Sequence, residues 1–220
     1  GKQGVPINNE KAQYYLQLSV SKGYIPAYVK LGRLLQKGDG IEKDEVTAFQ
    51  LFEKAVEKGD TDALLDLGVC YKQGKGVDIN FEKAVELYQL AADKGNTVGM
   101  YNLALCYHKG EGVPIDPTRE IELYQKAARE GNLLARYNLG ICYDNGEGVP
   151  ENKVLACEYY EYAAHRGHTN AQFNVAVCYE EGVGGVIMNI KKALDFYQLA
   201  ADNGDTEAQT KLVALKIFTQ

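Results

Sequence analysis

The chain has no tryptophan, no Asn-x-Ser/Thr sequon and only three histidines, His108, His165 and His168. No stretch approaches the roughly 18 consecutive apolar residues that a membrane span requires, and no charged start leads into an apolar run of the signal-peptide kind. Catalytic signatures are equally scarce. There is no HExxH, no paired CxxC, no phosphate loop and no nucleophile elbow around which hydrolytic or metal chemistry would be built. Clustered positive charge is missing too: a net charge of −6 and a pI near 5.2, with lysines scattered among acids, exclude an extended phosphate-binding face. These features point to a non-catalytic chain without a metal or other cofactor, with no nucleic acid and no membrane insertion. The cytosol is the expected compartment.

What the chain has in abundance is glycine (23) and tyrosine (16), and both recur in register. Leu31, Leu67, Leu103, Leu139 and Val175, spaced 36 residues apart, are followed by Gly32, Gly68, Ala104, Gly140 and Ala176. A glycine doublet recurs as Gly38/Gly40, Gly74/Gly76, Gly110/Gly112, Gly146/Gly148 and Gly182/Gly184, and one extra glycine, Gly185, shifts the last copy by one. Gly23, Gly59, Gly95, Gly131, Gly167 and Gly204 close each unit. Fixed self-similarity at this period is the signature of a solenoid, in which each unit buries its apolar face only against its neighbours.

Each copy reads as two antiparallel helices. In the central copy Ala135, Leu139, Cys142 and Tyr143 recur at helical spacing, and Gly146 supplies the left-handed residue that ends the first helix. The second helices start at Asn8, Asp44, Asn80, Asp116, Asn152 and Asn189, whose side chains can accept from free N–H groups; Pro117 sits where a helix-starting proline is favoured. Ala156, Cys157, Tyr159, Tyr160, Ala163 and Ala164 give the second helix a face of small and aromatic residues.

The segments ARYNLGICYDNGEGV (Ala135 to Val149) and AQFNVAVCYEEGVG (Ala171 to Gly184), with second helices carrying Lys83-Ala84 and Ala91-Ala92, resemble the Sel-one-like repeat family, relatives of the tetratricopeptide repeat. The resemblance covers essentially the whole chain. It implies an all-α, right-handed α-solenoid of antiparallel helix pairs that serves as an adaptor for assembling protein complexes. On this reading residues 1–220 are a single repeat domain: a half repeat (1–23), whole repeats at 24–59, 60–95, 96–131, 132–167 and 168–204, and a last first-type helix at 205–220. The half repeat carries loop residues Gly4 and Val5. An array open at both ends is expected to be part of a longer protein, with Thr206 to Phe218 as an improvised cap otherwise, and its ends offer a route to self-association.

Cys70, Cys106, Cys142 and Cys178 form one column with Leu34 and Leu215, and Cys157 shares its column with Phe49, Val85, Ile121 and Leu194. Both columns ask for an apolar filler. Equivalent positions in neighbouring helices lie about 8 to 10 Å apart, too far for a bridge. All five cysteines are therefore expected as free thiols, with Cys142 and Cys157 the one pair worth considering. Some bacterial members of the resembled family form disulfides from two alanine-type columns; here those places hold residues such as Ala128 and Ala135, so that framework is missing.

A function has to come from the surface of the first helices. With Ala135, Leu139 and Cys142 turned to the packing side, helical periodicity leaves Leu134, Tyr137, Asn138, Ile141, Asp144 and Asn145 toward the concave side. The neighbouring copies set Tyr101, Asn102, Leu105, His108 and Lys109 on one flank and Phe173, Asn174, Val177, Glu180 and Glu181 on the other. Tyr101, Tyr137 and Phe173 make an apolar ladder that either packs helices or accepts side chains of a bound peptide. Asn102, Asn138 and Asn174 make an amide ladder that either fastens the neighbouring helix or pairs with a peptide main chain, as the resembled grooves do. One margin runs from Gln36, Lys37, Lys72, Gln73, His108 and Lys109 to Asp144, Asn145, Glu180 and Glu181, a change of sign that would orient a charged segment. The expected function is a non-catalytic scaffold that binds a protein or peptide ligand in this groove. The alternatives are a regulatory module of an enzyme carried elsewhere in a longer chain and an enzyme built on a solenoid. His165 and His168, flanking Gly167, are expected at the surface or as caps.

Overall fold

The computed structural model describes residues 8–38 and 41–218. Gly4, Val5 and Gly40 lie outside the described residues. The chain divides into two compact units, Gly1–Ile115 and Asp116–Gln220. The first contains α1 (Asn9–Ser21), α2 (Ile25–Lys37), α3 (Glu45–Glu57), α4 (Ala63–Gln73), α5 (Phe81–Asp93) and α6 (Thr97–Lys109). The second contains α7 (Pro117–Arg129), α8 (Leu133–Asn145), α9 (Lys153–Ala164), α10 (Thr169–Glu181), α11 (Ile190–Asp202) and α12 (Thr206–Phe218). Within each unit a helix packs chiefly on the one before and the one after it.

The helix boundaries follow from capping chemistry. Asn8, Asp44, Asn80, Asp116, Asn152 and Asn189 each accept a hydrogen bond from the backbone N–H three residues on, at the start of α1, α3, α5, α7, α9 and α11. At the other end of the hairpin, Gly38, Gly74, Gly110, Gly146 and Gly182 terminate the first-type helices with φ between 66° and 72°. Chain reversal is then locked by the backbone. The N–H groups of Asp44, Asn80, Asn152 and Asn189 reach back to the carbonyls of Leu35, Tyr71, Tyr143 and Tyr179 at 2.8 to 3.0 Å.

Side-chain size sets how closely the two helices of a hairpin approach. A Cβ on Gly32 would sit 2.5 Å from the Phe52 ring, one on Gly68 2.6 Å from Tyr88, and one on Gly140 2.5 Å from Tyr160. These rings lie almost directly on the backbone of the first helix and are at most 2 % exposed. Burial of such a side chain contributes about 1.5–3 kcal/mol, so the repeated contact is the main apolar term in each pair. A second close approach joins successive repeats. From Gly76 onward, the second glycine of the doublet meets the first turn of the preceding second-type helix: a Cβ on Gly76 would lie 2.1 Å from the Glu45 carbonyl oxygen, one on Gly112 2.4 Å from Phe81, and one on Gly184 2.5 Å from the Lys153 carbonyl oxygen.

The two kinds of glycine should respond differently to alanine. At Gly140 the obstacle is a side chain, Ala176 and Tyr197 are both buried in the equivalent places one repeat on, and helix propensity returns about 1 kcal/mol. Gly112 has φ +75° and faces backbone that cannot move aside. Urea unfolding should show Gly112→Ala losing about 2–3 kcal/mol and Gly140→Ala losing less than about 1 kcal/mol.

Candidate protein-interaction surface

In the second unit, Tyr137, Ile141, Phe173 and Val177 are half-buried and pack on the core formed by α9, α10 and α11. Their inner sides are committed to packing. Tyr137 stacks on His168 with ring centroids 4.3 Å apart and also meets Tyr160, and Phe173 meets Tyr197 edge-on at 5.4 Å. Their outer sides remain open. Phe173, Asn174 and Val177 share a cavity of about 330 Å³ with Asp144, Lys153, Tyr160, Glu181 and Val183. In the first unit Tyr101, Asn102 and Leu105 are half-buried on α6, with His108 and Lys109 exposed at its end.

The amide ladder has a structural role inside the second unit. Asn138 donates to the Tyr124 hydroxyl at 3.0 Å, while Asn174 stands beside Tyr160 in the cavity wall. Lys211, the next member of the column, binds the Glu180 carboxylate at 3.0 Å, which in turn accepts from the Tyr197 hydroxyl at 2.5 Å. The buried Tyr124 hydroxyl is thus met from the next first-type helix, whereas the Tyr160 and Tyr197 hydroxyls donate to Asp144 and Glu180 on the first-type helix of their own hairpin. Burial pushes Tyr160 and Tyr197 well above the ordinary phenol range, so both hydroxyls keep their protons for these bonds. The charged margin is largely paired: Lys72 with Glu111 at 2.7 Å, Asp144 with Lys153 at 2.8 Å, and Glu180 with Lys211. Lys153, Tyr160 and Val183, which sequence periodicity assigned to helix starts, packing and loop, complete the cavity because the start of α9 and the loop after α10 come up beside α10.

The cysteines correct one expectation. Cys157 on α9 and Cys178 on α10 form a disulfide, with Cα atoms 6.5 Å apart. The sequence comparison measured like against like along each column, and considered Cys142 with Cys157 across a hairpin. The bridge instead joins different columns of successive helices, where α10 packs against α9. Cys70, Cys106 and Cys142 are buried free thiols, as expected. Burial pushes Cys70 up to about 11 and Cys142 up to about 12, so neither supplies a thiolate nucleophile at neutral pH. Among the described residues no group of three or more His, Cys, Asp or Glu could hold a metal ion, and no helix is long and apolar enough to cross a membrane.

His168 is a cap. Its Nδ1 accepts from the Ala171 N–H at 3.2 Å at the start of α10, a position held by Asn96 and Asn132 at the starts of α6 and α8.

The family model of the Sel1 repeat matches residues 1–24, 25–60, 61–96, 97–132, 133–168 and 169–205, and the chain belongs to this family of all-α repeat solenoids. Sel1 repeat proteins are generally non-catalytic protein-interaction scaffolds. Among solved structures, c5321, a protective antigen of uropathogenic Escherichia coli with an SLR fold, is 30% identical with a TM-score of 0.83 over 93% of this chain and 44% of its own. A Sel1 repeat protein from Oxalobacter formigenes is 28% identical with a TM-score of 0.88, covering 97% of this chain and 61% of its own. Immunity protein Pa5087 from Pseudomonas aeruginosa is 27% identical with a TM-score of 0.58, covering 84% and 67%. The chain therefore spans less than two thirds of the length of the first two. No curated protein sequence matches it.

Two measurements test the local chemistry. Alkylation in denaturant should label three cysteines before reduction and all five after it, and reduction should cost about 3 kcal/mol of stability, the value expected for a bridge closing a 21-residue separation. Five labelled thiols in the unreduced protein would contradict the bridge. His168 is held below its ordinary value of 6.5 by burial, so the folded chain resists a proton that the unfolded chain accepts. Its stabilising contribution is complete above that value and is lost as pH falls below it. Between about pH 7 and pH 5, His168→Asn should therefore lose less melting temperature than the native chain.

Proposed function

We propose that this chain is a non-catalytic scaffold that holds a peptide or protein segment against its first-type helices, with the second unit providing one binding subsite. The observation that carries this reading is the open cavity of about 330 Å³ where Phe173, Asn174 and Val177 stand together. It has apolar walls from Phe173, Val177 and Val183, polar groups from Asn174, Asp144, Lys153 and Glu181 at the same opening, and it is large enough for one or two side chains of a bound segment. Tyr137, Asn138 and Ile141 on α8 and Tyr101, Asn102, Leu105, His108 and Lys109 on α6 belong to the same binding reading, each within its own unit. Asn138 is already engaged by the Tyr124 hydroxyl, so in this account the apolar residues are the anchors and that amide chiefly holds the surface in shape. The Cys157–Cys178 bridge stiffens the cavity wall and favours an oxidising compartment over the cytosol. A partner is a protein; a domain of a longer parent chain and self-association are the other forms this scaffold role can take.

Val177→Asp puts a charge on the half-buried wall with little change of volume. In capture from an extract of the source organism, a variant with native circular dichroism should lose its protein partner by tenfold or more in affinity, about 1.4 kcal/mol. Unchanged capture would move binding away from this cavity.

A further inference from the structure

The second unit carries a feature unrelated to the cavity. In a chain with net charge −6, two arginines, Arg136 and Arg166, close on one tyrosine of α9. The guanidinium carbons of Arg136 and Arg166 lie 3.5 and 3.6 Å from the centroid of the Tyr162 ring. Two such groups cannot share one face at that distance, so the ring is held between them. Among the described residues neither arginine is ion-paired to a carboxylate.

The polar contacts that do exist leave the charge uncompensated. Arg136 donates from one terminal nitrogen to the Ala128 carbonyl at 2.9 Å, and Arg166 donates to the Tyr162 carbonyl at 3.3 Å. The Arg136 Nε is buried without a partner. The Ala128 bond does not require an arginine. One repeat later Gln172 makes the equivalent bond to the Ala164 carbonyl at 3.3 Å, and Gln209 repeats it to the Ala201 carbonyl at 3.5 Å. The positive charge at position 136 is therefore surplus to packing. Two guanidiniums stacked on one ring repel each other, and stacking fixes their orientation while leaving N–H donors at their edges.

We propose that Arg136 and Arg166, sandwiching Tyr162, form an anion-binding site for an oxyanion carried by a partner polypeptide, either a phosphorylated side chain or an acidic one. Guanidinium donors match the geometry of both groups in two-point hydrogen bonding, and an incoming oxyanion removes the repulsion between the two arginines. The site rests on the scaffold reading only in that the anion belongs to a polypeptide; it shares no residue with the cavity around Phe173.

The test uses three fluorescent nonapeptides of one Gly/Ser sequence, differing at the centre in phosphoserine, a Glu-Glu pair or serine, titrated against the native chain by polarisation. The anionic peptides should bind and the serine peptide should not, with affinity falling steeply as salt rises. Arg136→Gln/Arg166→Gln should lose at least tenfold, and Arg136→Gln keeps the Ala128 bond that glutamine makes elsewhere, so circular dichroism and melting should stay close to native. A Val177→Asp chain should retain anion binding, which separates this site from the cavity. Preference for phosphoserine identifies a phosphorylated partner, and equal binding identifies an acidic one. Absence of saturable binding of either anionic peptide up to ~1 mM at low salt, or equal affinity in the double variant, would overturn the proposal.

Discussion

The structure depends on a buried aromatic ring lying on a position of its partner helix that holds only glycine or alanine. Where Gly140 meets Tyr160, and Gly68 meets Tyr88, the absence of a side chain lets two helices close on a buried ring. That contact sets the spacing within a pair. The second glycine of the doublet sets the spacing between pairs, because the loop must come within van der Waals distance of the preceding helix's first turn. A fold built from two repeated close approaches needs few long-range contacts, which is why each helix is content with its sequence neighbours.

Burying a tyrosine brings a hydroxyl that must be satisfied, and the way it is satisfied shapes the exposed surface. Tyr124 is bonded by Asn138, Tyr160 by Asp144, and Tyr197 by Glu180 with Lys211 behind it. The polar residues that line the first helices are thus drawn into the stacking of the repeats. What is left to a partner is the open side of the apolar residues between them, together with charges such as Arg136 and Arg166 that no internal contact neutralises. The scaffold and its binding surfaces come from the same columns.

That division explains what could be read in advance. Caps, helix ends and the tyrosine column depend on local residue chemistry repeated in register, so Asn80, Gly146 and Tyr160 declare themselves in the bare sequence, whereas the seating of the Tyr160 ring on Gly140 does not. His168 was expected at the surface or as a cap, and it caps α10. The half-buried strip of Tyr137, Ile141, Phe173 and Val177 was also legible from helical period, whereas the cavity beside it was not, since Lys153 and Val183 reach it from a helix start and a loop. Cys157 and Cys178 belong to different columns, and only the approach of α9 to α10 brings them together. Arg136 was hidden in a column where Tyr28, Leu64, Met100 and Gln172 are buried, and nothing in its position announces the Tyr162 ring above it.

The central claim is that the first-type helices of the second unit receive a partner segment. Hydrogen–deuterium exchange of the chain with and without its captured protein partner tests it most directly. The account predicts added protection along α10 and the loop that follows it, where Phe173, Val177 and Val183 surround the cavity. Protection confined to the outer faces of α11 and α12, with α10 exchanging as in the free chain, would contradict it.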